Sequence, residues 1–350
     1  MGVFKNPQIK LEAFIIPLMT KLNNSKVLKS ISNGMIMTLS LTFGASIFNI
    51  LGNFPVPVIH RFLTATGISQ HFNAVAHATI GILGLFISFI VAYNYTKLSD
   101  ADGVIGGFFS LAVFLILIPK NINKENNGIS LFTLDYMGSS GICVAFLIAI
   151  LVAKLYTILS KSKKVSIKLP DSIPPMVAQS FEPLIIGLVI FSTVVIVRIL
   201  ISYTPYGNMF ALVNRVISEP IISVCGSIPF VMLVFLIGNF MFFLGIHPNP
   251  LHSIMSPILL GMQVEAFQNA QNGEPIHYLS NLVMYDFINN DGVGGTLSLL
   301  LAILVFGRAK QYRNIAKQSI AANFFGINES VIFGLPIVSN SILLIPFVMS

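Results

Sequence analysis

GINESVIFGLP, residues 326–336, sets a single acid, Glu329, among apolar residues and glycines. Hydrocarbon cannot solvate a carboxylate. An acid in such surroundings either faces a cavity and marks a functional site, or is salt-bridged or protonated and only fixes helix packing. The setting favours the site. The 350-residue chain is 55% hydrophobic and 9% charged, with a mean hydropathy of +0.84. Soluble domains carry about 25% charged residues. Several apolar runs approach or exceed the ~20 residues a helix needs to cross the hydrocarbon core. The fold class is therefore an all-α polytopic membrane protein.

The first apolar run starts near Ile31, behind a long lysine-bearing lead, and no small-residue cleavage site follows it, so it is not a cleaved signal. Cys143 and Cys225 lie in apolar segments without CxxC spacing and read as small buried hydrophobes, not redox or phosphocarrier groups. The net charge of +7 sits in loops as a topology signal and does not point to nucleic acid.

The candidate spans are Ile31–Leu51, Phe72–Tyr93, Val104–Pro119, Gly138–Leu159, Phe181–Ser202 and Ser227–Ile246, with a shorter Val293–Phe306 and a final Pro336–Met349. That makes about eight spanning segments. Lys5, Lys10, Lys21, Lys26 and Lys29 precede the first span against Glu12. Lys161, Lys163, Lys164 and Lys168 follow the fourth against Asp171. Both clusters belong on the cytoplasmic side, which puts the amino terminus inside. Arg308, Lys310, Arg313 and Lys317 crowd another inside loop.

The second half differs from the first. Gly245–Pro257 and Asn323–Pro336 are apolar but broken by Gly, Pro, Asn and His. Non-helical backbone at membrane depth is tolerated only where protein or a water-filled cavity satisfies it, and such interrupted segments point to a transporter binding site. Two re-entrant hairpin-like segments are expected, one carrying His247 and the other Glu329, converging on one cavity. His252 lies five residues after His247, so the two face different directions on a helix. No third and fourth ligands appear at usable spacing, and no metal or cofactor is expected. Arg198 and Glu182 near the fifth span either pair across helices or line a cavity. His60, His71 and His77 read as interfacial residues.

These segments carry a resemblance. GIHPNP (245–250), DGVGGTLSLLL (291–301) and FFGINESVIFGLPIVSNSILLIPF (324–347) resemble enzyme IIC, the membrane component of the phosphotransferase-system (PTS) lactose/cellobiose family. ISNGMIMTLSLTFGASIFNILGNFP (31–55), DYMGSSGICVAFLIAILVAKLY (135–156) and KLPDSIPPMVAQSFEPLI (168–185) resemble its earlier parts in the same order. The GINESVIFGLPIV element is the most specific. The resemblance implies a permease in the bacterial plasma membrane that carries a β-linked disaccharide of the cellobiose, diacetylchitobiose or lactose type inward. A separate enzyme IIB, itself served by enzyme IIA, phosphorylates the sugar on its 6-hydroxyl from a phosphocysteine. It further implies a homodimer, with residues 1–205 as the dimerising part and 206–350 as the sugar-binding part. In that family the His of GIH and the Glu of NE contact the sugar near the reacting hydroxyl. These fall on His247 and Glu329.

The chemistry agrees with that carry-over. A sugar hydroxyl needs orienting and partial deprotonation, and a carboxylate within hydrogen-bond reach does both. Glu329 is the base candidate. His247 holds the hydroxyl or, protonated, the incoming phosphoryl group. Asn328 has donor and acceptor capacity for a sugar hydroxyl pair. Gly292, Gly294 and Gly295 either let backbone approach the sugar or serve close helix packing.

The chain departs from the family pattern in lacking tryptophan, in Pro248 after His247, and in Ser330 and Ser341 where the family has proline. It also stops at Ser350, inside what resembles a span, so a carboxy-terminal truncation is expected. The alternatives are a truncated or divergent non-transporting homologue and a secondary sugar carrier without phosphorylation. A channel lacks the repeated filter or charged ring it would need.

Overall fold

The structure is a computed structural model. It describes residues 24–54, 56–119, 121–122, 130–131, 136–162, 175–245, 247–291, 293–324, 328–338, 340 and 342–350, together with Pro17, Lys21 and Leu22. Only the backbone is described for residues 39, 121–122, 130–131, 139–140, 175–182, 249–250, 252–253, 286–291 and 329.

The helices in chain order are α1 Lys26–Gly52, α2 Pro57–Ala65, α3 Ile68–His77, α4 Leu83–Lys97, α5 Gly103–Leu117, α6 Ser139–Ser160 and α7 Pro175–Ser202. There follow α8 Met209–Val213, a π-turn at Asn214–Ser218, α9 Glu219–Cys225, α10 Ile228–Phe243, α11 Asn249–Asn272 and α12 Leu279–Asp291. The last are α13 Thr296–Phe306, α14 Lys310–Phe324, α15 Glu329–Gly334 and α16 Leu344–Met349. Among the described residues the strands are two antiparallel pieces, Asn121–Ile122 and Ser130–Leu131. By length and composition Lys26–Gly52, Ile68–Lys97, Gly141–Ser160 and Pro183–Ser202 can each cross a membrane. The pair Met209–Cys225 and Ile228–Phe243, bent by 75°, has the length and composition of one broken span or a re-entrant loop.

The described residues divide into two compact units, Ser25–Ile221 with Ser256–Ile276, and Ile222–Met255 with His277–Ser350. In the first unit α4 packs against α1, α5 and α6. The core holds Leu83, Ile87, Phe114, Ile142, Ile190 and Phe210. The outward faces are apolar as well: Phe43 of α1 is 73% exposed and Leu188 of α7 is 69% exposed. Helices buried on one side and greasy on the other suit a lipid solvent, where exposing hydrocarbon carries no hydrophobic penalty.

The expected second span falls within Ile68–Lys97 and is interrupted part-way along. Gly84 gives its N–H to the carbonyl of Met137 at 2.8 Å, and a turn at Thr79 with a 3-10 segment at Ile80–Ile82 separates α3 from α4. A Cβ at residue 84 would stand 2.8 Å from that same carbonyl oxygen, so only glycine permits the approach. The third expected span is α5, held at its start by Asp102, whose Oδ1 accepts from Val104 N at 2.9 Å and Ile105 N at 3.1 Å. Its 15 residues reach about 22 Å, short of the ~30 Å hydrocarbon core. Val293–Phe306 narrows to the 11 residues of α13, because Gly294 and Gly295 are left-handed. Among the described residues of Pro336–Met349, Leu344–Met349 is helical, after turns at Leu335–Val338 and Ile342–Leu343.

Candidate functional site

His247, Gly294, Gly295, Asn328 and the backbone of Glu329 fall in the second unit. Helix α10 is apolar throughout except for Asn239, which is 4% exposed. Buried polar side chains are nearly always paired, and this one is. Its Oδ1 accepts from Gly294 N at 3.2 Å, and its Nδ2 donates to Val348 O at 3.3 Å. One amide thus ties α10 to the turn before α13 and to α16.

That turn is the glycine cluster. Gly294 has φ +70° and Gly295 has φ +61°. This region costs an L-residue with a side chain about 1–2 kcal/mol. Where a Cβ of residue 294 would stand, the ring of Phe347 already sits, with Cε2 2.2 Å away. The close approach at Gly294 is therefore made by a phenyl ring of the same unit. Gly292 lies outside the described residues.

Immediately after the turn, Thr296 opens α13. Thr296 and Asn323 are fully buried and Asn328 is 5% exposed. Thr296 Oγ1 donates to Asn328 Oδ1 at 3.1 Å. Asn323 Nδ2 donates to Asn328 Oδ1 at 2.6 Å and to Thr296 Oγ1 at 3.0 Å. Asn323 Oδ1 is buried without a hydrogen-bond partner among the described residues. The trio locks the end of α14 and the residue preceding α15 onto the start of α13. Glu329 begins α15, so its backbone is one residue from the trio; its side chain lies outside the described residues.

The other motif ends α10. Gly245, φ +76°, turns the chain after Leu244, and His247 is exposed with its ring 4.9 Å from that of Phe242. The residues flanking the two motifs share one core. Phe242, Phe243 and Leu244 lie in the same buried cluster as Val331, Ile332, Leu335 and Ile337, together with Leu300 and Phe347. A Cβ on Gly245 would stand 3.3 Å from Val338 Cγ1, so the two segments touch directly. The structure thus brings together Asn328, Gly294 and Gly295 through Thr296, and joins the His247 segment to the stretch after Glu329 through this core.

Thr296, Asn323 and Asn239 were not singled out from the sequence. A lone asparagine in an otherwise apolar helix was the available signal for Asn239. Asn323 and Asn328, five residues apart across the apolar stretch FFGI, were the signal for the trio.

Arg198 donates to the carbonyl of Ile116 and lines a cavity of about 250 Å³ with Leu117, Ser202 and Asn208. The alternative, a pairing of Arg198 with Glu182, falls on a side chain outside the described residues. His60, His71 and His77 are exposed on α2 and α3.

The family model described as "Phosphotransferase system, EIIC" matches residues 32–350. The galactose-specific EIIC component of Lactococcus lactis subsp. cremoris (strain MG1363) is 32% identical, over 97% of this chain and 79% of that protein. The oligo-beta-mannoside-specific EIIC component of Bacillus subtilis (strain 168) is 30% identical, over 97% of this chain and 78% of its own length. Among solved structures, the transporter ChbC, the IIC component of an N,N'-diacetylchitobiose-specific system, superposes with a TM-score of 0.87. It is 30% identical and is matched over 97% of this chain and 81% of that one. Apolar helices able to span, an all-helical architecture and these matches converge: the chain is a multi-pass membrane protein that belongs to the phosphotransferase-system EIIC family, as its sugar-specific permease component.

Proposed function

We propose that the protein translocates a β-linked disaccharide of the cellobiose, diacetylchitobiose or lactose type and presents its 6-hydroxyl to a phosphocysteine on a separate enzyme IIB. EIIC components work with EIIA and EIIB components and a sugar. The observation that carries the finer reading is the common core of the second unit, in which residues flanking His247 and residues following Glu329 pack against each other.

In this reading residues 206–350 hold the sugar and residues 1–205 form a homodimer contact, with the amino terminus in the cytoplasm. Glu329 accepts the proton of the 6-hydroxyl as its oxygen attacks phosphorus and the S–P bond of the phosphocysteine breaks, returning a thiolate to enzyme IIB. His247, exposed beside Phe242, orients that hydroxyl or meets the incoming phosphoryl group. Phosphoryl transfer passes through a loose transition state, so positioning and charge stabilisation contribute most of the catalysis. Gly294 supports the site through packing, because Phe347 fills the space where its side chain would be.

The test is phosphoenolpyruvate-dependent phosphorylation of cellobiose, diacetylchitobiose and lactose by vesicles holding the protein with EIIA, EIIB and the general phosphotransferase proteins. Phosphosugar formation that requires EIIB supports the reading. Uptake of unmodified sugar, or binding without uptake or phosphorylation, replaces it with the carrier or the non-transporting alternative.

A further inference from the structure

We propose that Thr296 and Asn323 are positioning residues that fix the hydrogen-bond polarity of Asn328, so that Asn328 meets the sugar as a donor only. The sequence alone gives Asn328 both a donor and an acceptor face. In the fold its acceptor is already committed: Oδ1 receives Thr296 Oγ1–H at 3.1 Å and Asn323 Nδ2–H at 2.6 Å. Asn323 directs its other N–H to Thr296 Oγ1 at 3.0 Å, which frees the threonine proton for Asn328. Two of the three hydrogen bonds converge on Asn328 Oδ1, and the third supplies Thr296 Oγ1 with a donor. What remains to Asn328 is its own amide N–H pair, which has no partner among the described residues.

Asn323 Oδ1 is left buried and unpaired among the described residues, which is rare and destabilising in folded proteins. A trio serving only to pack three helix ends could be apolar and lose nothing. A trio that imposes one orientation on Asn328 needs an amide at 323 and a hydroxyl at 296. A donor-only Asn328 donates to a hydroxyl oxygen or, more weakly, to a fluorine of the ligand, and gains nothing from a hydroxyl proton.

The inference rests on the sugar-binding reading above, and the experiment separates the two. Binding of cellobiose, diacetylchitobiose and lactose is measured by calorimetry on protein in lipid nanodiscs. It is then repeated with monodeoxy and monodeoxyfluoro cellobioses, or with the same analogues of whichever sugar binds best. At the hydroxyl that meets Asn328, the fluoro analogue should outbind the deoxy analogue by about two- to threefold, the low end of the worth of one hydrogen bond because fluorine is a weak acceptor. Asn323→Asp places an acceptor against Asn328 and should turn its amide round, abolishing or reversing that preference. Thr296→Val, which keeps the shape, should weaken the preference, and Thr296→Ser should restore it. KM for phosphorylation should rise in step while kcat changes less. Thr296→Val carries the test alone if Asn323→Asp does not fold.

Fluoro and deoxy analogues that bind equally poorly at every position would mean that Asn328 turns its carbonyl to the sugar, which overturns the inference. So would an unchanged pattern in folded Thr296→Val, which makes the trio structural only. Wild-type protein that binds none of the three sugars overturns the sugar reading, and this inference with it.

Discussion

Gly294→Ala separates backbone strain from crowding at the glycine turn. Residue 294 has φ +70°, a conformation that costs an alanine about 1–2 kcal/mol. Its Cβ would lie 2.2 Å from Phe347 Cε2 and 2.4 Å from Cδ2. Phe347 is 5% exposed and belongs to the core of the second unit, so its ring cannot swing away without displacing neighbours. Overpacking of this kind costs about 1–3 kcal/mol. Together the two effects destabilise the protein by about 2–5 kcal/mol. Gly67→Ala is the control. It too is left-handed, at φ +76°, but nothing lies within 4 Å of its Cβ position, so only the first effect applies. Adding Phe347→Leu to Gly294→Ala should recover part of the second. The assay is reversible unfolding in mixed detergent micelles followed by circular dichroism. If Gly294→Ala is no more destabilising than Gly67→Ala, the ring of Phe347 is not lodged against residue 294 and the packing argument is wrong.

Glu329→Gln should lower EIIB-dependent phosphorylation ~10²–10⁴-fold while leaving measurable sugar binding, because glutamine keeps the shape but cannot take the hydroxyl proton. Near-normal phosphotransfer would reduce this carboxylate to a structural or binding group. His247→Ala should weaken binding and turnover together, since it removes an orienting contact as well as a possible charge; the check is KM and kcat in the same vesicles. Ser162→Cys, in the loop after α6, should resist an impermeant maleimide added outside intact cells and react once the membrane is opened, as the lysine asymmetry requires. Ready labelling from outside would reverse the orientation.

The sequence foretold much of the helical frame and less of its interruptions. α1, α6, α7 and α10 follow the expected runs closely, because a long apolar stretch in lipid can satisfy its backbone only as a helix. The break between α3 and α4 was invisible. It depends on a carbonyl at Met137, more than fifty residues away, taking the N–H of Gly84. Hydropathy carries no trace of such a bond. Val293–Phe306 was read too long at its start for a related reason. Gly294 and Gly295 were noticed, but their left-handed turn is set by Asn239 and Phe347 on other helices. At the candidate site the motif residues stood out because each is polar in an apolar setting. Thr296 and Asn323 did not, since a lone threonine or asparagine gives no sign of which partner it will meet.

The core that joins the two motifs also has a timetable. Phe242–Leu244 leaves the ribosome roughly ninety residues ahead of Val331–Ile337, the segment it packs against, which at ~5–20 residues per second is a wait of roughly 5–18 seconds. During that interval the face of α10 destined for the core has only lipid or an insertase to meet, and the turn at Gly245 has no Val338 beside it. A pause in translation between α11 and α14 would lengthen the wait without altering a single residue. Synonymous slow codons in that stretch should therefore lower the yield of correctly assembled protein in the membrane, which quantitative immunoblotting of membrane fractions would check.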